Sequence, residues 1–196
     1  MASILYGSER LLEHVSLLFQ IIVTRGIVPD TFCIGVITPI LKPGKPPSQC
    51  SSYRPITVST TLCKLFELLI RDEIRSKCSV PPHQFGFQRS LGCDHALYSL
   101  VSILTDAEND NDSLVLAAHD LARAFDSSIH EHILLSAAER GVENSVIGPL
   151  DSMYSNLRVR IKCPGWDCDM LLEIDIPVNK GIRQGAVNHQ IYSIIP

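Results

Sequence analysis

Two patterns alternate along the chain: apolar residues at helical spacing, and short runs that are apolar almost throughout. Leu11, Val15, Leu18 and Ile22 recur every three to four residues, the spacing of one helix face. Ser8 is placed to cap that helix, and Gly26 with Pro29 to end it. The run "FCIGVITPIL" over 32–41 predicts a strand with Pro39 near its end. A turn-rich basic loop, "KPGKPPSQCSSYRP" over 42–55, follows it. Leu62, Leu65, Phe66, Leu69 and Ile74 predict a second amphipathic helix.

Residues 80–87, "VPPHQFGF", are loop-like, and Asp94 is placed to cap a third helix through about Leu104. The segment "SLVLAAHD" over 113–120 is short and apolar, as expected of a strand buried on both faces. Ser128 and Glu131 form an S-x-x-E capping pattern, predicting a helix from Ile129 to Gly141. Another helix covers about 144–156. "LRVRIKC", a Pro-Gly turn and "LLEIDIPV" then predict a β-hairpin. Helices and strands interleave throughout, so the class is α/β or α+β, not a bundle or a sandwich.

The 196 residues fit one domain, or one and a half small ones, and 45 % of them are hydrophobic, enough for a substantial core. No apolar stretch reaches the roughly 20 residues that span a bilayer. "LLEHVSLLFQIIV" (11–23) carries Glu13 and His14 and lacks the flanks of a signal peptide. The seven cysteines are odd in number and scattered, which suits a reduced intracellular protein better than a disulfide framework.

A net charge of −4 argues against a nucleic-acid binder until its distribution is considered. Residues 25–89 carry nine Lys/Arg against four Asp/Glu, whereas 90–157 carry two against eleven. That order fits a phosphate-gripping element beside a metal-binding one. It equally fits a solvated surface, since "DAENDND" (106–112) supplies several of the acids.

Asp120 ends the apolar run, and a carboxylate there either faces solvent at a turn or holds a hard cation at the rim of a sheet. Asp126 lies at the entry to a helix, where negative charge is favourable in any case. Lys42, Lys45 and Arg54 share one Gly/Pro-rich loop and could converge on a triphosphate. In "GIRQG" (181–185), the flanking glycines permit a tight turn or a close backbone approach. Cys163 and Cys168 are spaced slightly wide for a zinc pair and have no second pair nearby, and a hairpin tip accounts for the Pro-Gly between them. The histidines are dispersed and form no H-x-x-x-H pair, and the P-loop, G-x-S-x-G and dinucleotide fingerprints are absent.

In order, the chain reads "GIVPDTFCIGVITPILKPGK", "SSYRPITVSTTLCKLFELLI", "HQFGF", "DLARAFD" and "GIRQG". That series resembles the reverse transcriptases of LINE-type (non-LTR) retrotransposons, from about residue 10 to 185. The resemblance implies an RNA-directed DNA polymerase of right-hand architecture. An N-terminal helix over 1–26 would lead into fingers over 27–112 and a partial palm over 113–196. It implies that Asp120, the first aspartate of D-x-x-x-A-F-D, binds catalytic Mg2+. Phe125 falls at the aromatic gate against the ribose 2′-hydroxyl. Arg54, helped by Lys42 or Lys45, would meet the incoming triphosphate, and Gln184 and Gly185 would line the nucleotide and template pocket. The implied partners are an RNA template, a DNA primer and deoxynucleoside triphosphates, with no membrane, and the implied location is the nucleus or cytoplasm. Two-metal phosphoryl transfer needs carboxylates holding ions roughly 3.5–4 Å apart, and basic fingers beside an acidic palm suit that division of labour.

The sequence departs from the family pattern in two places. "GFQRS" has Gln88 where the family more often has arginine, with Arg89 one step later. After Gly185 the chain reads "AVNHQIYSIIP", without the expected small residue and proline leading into a Ser-Pro-Leu-Leu-Phe-like helix, and without the Y-x-D-D metal motif. The expectation is a frame or copy broken just after Gly185. The resulting fragment would be inactive alone, or a non-catalytic remnant that binds nucleic acid weakly through its basic fingers.

Overall fold

A computed structural model describes residues 7–78, 80–88, 90–121, 124–162 and 171–183. Its elements in chain order are α1 (Glu9–Arg25), α2 (Asp30–Cys33), β1 (Ile34–Leu41), a 3₁₀ turn (Cys50–Ser52), β2 (Tyr53–Val58) and α3 (Thr61–Lys77). They continue with α4 (Cys93–Asn109), α5 (Ala124–Ser127), α6 (His130–Glu139), α7 (Asn144–Ser155), β3 (Arg158–Lys162) and β4 (Leu171–Pro177). The mixed helix and sheet content agrees with the expected class. The chain divides into two units, Met1–Cys78 with Phe125–Pro196, and Ser79–Ala124.

In the first unit the strands form one sheet in the order β2-β1-β3-β4, with β1 and β3 parallel and both outer pairs antiparallel. The β3/β4 pairing realises the hairpin expected from the sequence; its tip, with Cys163 and Cys168, lies outside the described residues. β2 begins inside the expected loop, which ran to Pro55, and extends to Val58. Its Pro55 is tolerated because β2 lies at the edge of the sheet, where one side of the strand needs no hydrogen-bond donor. Pro39 escapes the same penalty, because β3 pairs only with Ile34–Ile37 of β1 and leaves Pro39 one open flank. The expected strand start at 32 is replaced by the single helical turn α2, which buries Phe32 and Cys33.

The core lies where α1, α3, α6 and α7 meet, around Phe19, Ile22, Phe66, Ile70, Ile133 and Leu150. Phe66 packs its ring 5.4 Å from Phe19 and 6.1 Å from Phe32. α1 ends as expected at Gly26, whose φ of 67° is a left-handed turn and whose N–H donates to the Ile22 carbonyl at 2.8 Å. Thr60 caps α3 by accepting from the Cys63 N–H at 3.3 Å. α7 comes so close to the end of α1 that a Cβ built on Gly148 would stand 3.1 Å from the Gly26 Cα.

In the second unit, α4 begins after Gly92 and places Asp94 inside the first turn, not at the cap; the His95 ring accepts from the Gly92 N–H. None of its residues is buried. The strand expected over 113–120 is not formed. A strand exists only through pairing, and among the described residues of this unit α4 is the regular element, so the segment has no ladder partner among them. Its apolar side chains are exposed, Val115 at 92 %.

Candidate functional site

The β1-β2 hairpin carries the three candidate cations. Ile40 pairs with Arg54 and Leu41 with Tyr53, so Lys42 leaves β1 beside the start of β2. The Lys42 N–H donates to the Ser52 carbonyl at 2.8 Å, and its ammonium donates to the Ser51 carbonyl at 2.9 Å. The Lys45 N–H closes a turn onto the Lys42 carbonyl at 3.2 Å, and the Tyr53 hydroxyl ties down Pro47 at 3.0 Å. The loop is therefore a closed lasso that brings Lys42, Lys45 and Arg54 to one end of the hairpin, with Lys45 and Arg54 exposed. Alternation along β2 puts Arg54 on the face opposite Pro55 and Thr57.

Phe125, half-buried in α5, and Asp126 lie under residues 180–183. The Ile182 N–H donates to the Phe125 carbonyl at 2.8 Å, and the Gly181 N–H to the Ser128 carbonyl at 2.7 Å. The ring of His130, buried and stacked on Tyr154 at 4.4 Å, donates from Nε2 to the Gly181 carbonyl at 2.7 Å. The close approach permitted by Gly181 is thus to the chain's own backbone. Its φ is 92°, and a Cβ there would meet the Asp126 carbonyl oxygen at 3.1 Å. The helix expected from Ile129 starts one residue later. The Ser128 carbonyl is engaged by Gly181, Ile129 is extended, and α6 begins at His130.

Arg183 follows directly and is buried, at 7 % exposure. Its guanidinium donates to the Phe32 carbonyl at 3.0 Å, to Glu67 Oε1 at 3.2 Å, to Met153 Sδ at 2.9 Å and to Cys63 Sγ at 3.8 Å. Glu67 is itself buried at 3 %, on the same face of α3 as Cys63 one turn earlier. Burial pulls the Arg183 pKa down, but the adjoining Cys63 and Glu67 outweigh it and hold the guanidinium above its ordinary pKa. Burial pushes the Cys63 thiol up to about 11, against the pull of Arg183. Neither Arg183 nor Glu67 stands out in the sequence. The available signal was an acid at 67 on the core face that also holds Cys63, Phe66, Ile70 and Ile74, where an unpaired charge is untenable.

Two cavities belong to the first unit. A small one of about 140 Å³ lies over the sheet between Pro55, Thr57, Asp126, Lys180 and Ile182. A larger open groove of about 760 Å³ runs between α6 and α7, past His130, Glu131, Asp151 and Tyr154. The first is below the ordinary size of a small-molecule site, and the three hairpin cations line neither.

Asp120 is exposed in the irregular segment of the second unit. Among the described residues, no three ligating side chains gather around a point where a metal ion could sit. One exposed carboxylate does not make a divalent-metal site, so the described residues do not fit the implied Mg2+. Gln184 and Gly185 lie outside the described residues. No described helix is long and apolar enough to cross a membrane.

No family model matches the chain. Its sequence is similar to the RNA-directed DNA polymerase from mobile element jockey of Drosophila funebris, 30 % identical over 95 % of this chain and 20 % of that protein. It is also similar to the probable RNA-directed DNA polymerase from transposon BS of Drosophila melanogaster, 27 % identical over 91 % of this chain and 19 % of the relative. A third relative, the probable RNA-directed DNA polymerase from transposon X-element of Drosophila melanogaster, is 36 % identical over 60 % of this chain and 13 % of its own length. The chain spans about a fifth of the length of the curated relatives it matches nearly end to end.

Proposed function

We infer that this chain, a relative of the reverse transcriptases of LINE-type non-LTR retrotransposons, is the fingers and first palm segment of an RNA-directed DNA polymerase. The observation that carries the reading is similarity to such polymerases over 95 % of the chain. In this reading 27–112 are fingers and 113–196 belong to the palm. Arg54, Lys42 and Lys45 grip the triphosphate, Phe125 excludes the ribose 2′-hydroxyl, and Gln184 and Gly185 line the nucleotide and template pocket. The gathering of the three cations at one hairpin end supports the first of these roles. Template RNA, DNA primer and deoxynucleoside triphosphates are the ligands that such residues serve.

Asp120 supplies one carboxylate toward a divalent-metal site, and residues 1–196 hold no Y-x-D-D stretch to supply the others. The polypeptide 1–196 by itself therefore binds RNA through its basic hairpin without extending a primer. Primer extension on an RNA template with magnesium, run beside RNA binding at rising salt, tests this. The expected result is salt-sensitive binding and no synthesis. Synthesis by the isolated polypeptide that disappears on Asp120→Ala overturns the inactive part of the reading; RNA affinity unchanged by Lys45→Ala and Arg54→Ala overturns the assignment of the hairpin.

A further inference from the structure

Arg183 reaches α2, α3 and α7 at once, through Phe32, Cys63 with Glu67, and Met153. The residue before it, Ile182, holds the Phe125 carbonyl at 2.8 Å. An unbroken path thus leads from a buried carboxylate on α3, through an ion pair and one peptide unit, to the backbone of Phe125. The opposite side of the same short segment is held by Gly181, whose N–H and carbonyl engage Ser128 and His130. Burying the pair Glu67–Arg183 is costly, and a well-packed apolar pair would serve stability as well. Its geometry offers something an apolar pair lacks: a guanidinium held by several acceptors from three helices has one permitted position.

We infer that Glu67 is a positioning residue that, through Arg183 and Ile182, sets the place of Phe125 in the first unit. This rests on the reading of Phe125 as the sugar gate, and it adds that the gate is held from behind by a charge on α3. Phe125 is a poor candidate to hold its own position. Its burial is incomplete, and α5 is a single turn of four residues. A ring that discriminates one hydroxyl must be fixed within a fraction of an ångström, which calls for a rigid support behind it.

The test uses the 196-residue chain and needs no nucleotide. Glu67→Gln leaves a buried guanidinium without its counter-charge and could unfold the chain, so the informative variant is the double substitution Glu67→Leu with Arg183→Met. Hydrogen exchange is followed at the Gly181 and Ile182 amides, with Phe19 and Ile22 in α1 reporting global opening. Fluorine resonances of ring-labelled phenylalanine, assigned with Phe125→Leu, report the ring. In the double variant, protection at Gly181 and Ile182 falls about tenfold more than at Phe19 and Ile22, and the Phe125 resonance moves. Glu67→Asp, which keeps the carboxylate, retains most of the protection. Protection that falls equally at all four amides, or a Phe125 resonance that stays in place, overturns the inference. Either outcome leaves the polymerase reading untouched, because that reading is decided by RNA binding and synthesis.

Discussion

Cys63 stands one helical turn from Glu67 and within 3.8 Å of the Arg183 guanidinium, yet it keeps its proton to about pH 11. Desolvation of the thiolate outweighs attraction to the neighbouring cation. The consequence for stability has a definite sign. In the unfolded chain the thiol ionises near pH 9.0, whereas the folded chain holds the proton through two further units. Between those values the unfolded state sheds a proton that the folded state retains, so stability falls as pH rises. The contribution is complete below pH 9 and lost by about pH 11. Urea denaturation at pH 8.5 and 10.5 should therefore show the parent chain losing roughly 2 kcal/mol more than Cys63→Ala. A difference between the two chains that does not change with pH would sink this account of the thiol.

At the scale of elements, α1 and α7 meet backbone to backbone. Gly148→Ala would ordinarily favour the helix by about 1 kcal/mol. Here the new methyl stands 3.1 Å from the Gly26 Cα, a neighbour that cannot rotate away, so α1 must shift. The expected net effect is a loss of about 1–3 kcal/mol, read as a lowered urea midpoint. A midpoint that rises would mean the two helices can part without cost. The elements themselves were largely legible in the chain. α1, α3, α7 and the β3-β4 hairpin announce themselves through local periodicity, and Gly26 marks its helix end unaided. Expectations failed where a distant partner decides. Pro55 disguised β2, which is a strand only because β1 lies beside it. The Gly181 N–H that engages the Ser128 carbonyl comes from more than fifty residues later in the chain, and no local pattern announces it. Of the candidate site, the hairpin cations were legible because they are neighbours in sequence. The Arg183–Glu67 pair was not, since its members are separated by 116 residues and neither position names the other.

For the whole molecule, the two units differ in how much apolar surface they cover. α3 and α4 are both 17-residue helices, so nucleation and length favour neither. α3 buries five residues, including Phe66, Ile70 and Ile74, while α4 buries none and leaves Leu97, Tyr98 and Val101 at least half exposed. The irregular segment around Asp120 also leaves Leu116 and Leu121 exposed. Most helical stability comes from packing an amphipathic face, and α4 lacks that source. Its opening free energy should lie near that of an isolated helix, while α3 opens only when the first unit unfolds. Native-state hydrogen exchange on dilute chain should therefore show α4 amides protected at least about a hundredfold less than those at Phe66 and Ile70. Equal protection in the two helices would mean that α4 has found cover, by a second copy or otherwise, and repeating the measurement at tenfold lower concentration separates self-association from intramolecular packing. Large exposed apolar patches mark surfaces built to be covered. The carboxylate expected to bind metal thus sits at the end of the least supported stretch of the molecule, while the residues around Phe125 rest on the best packed one.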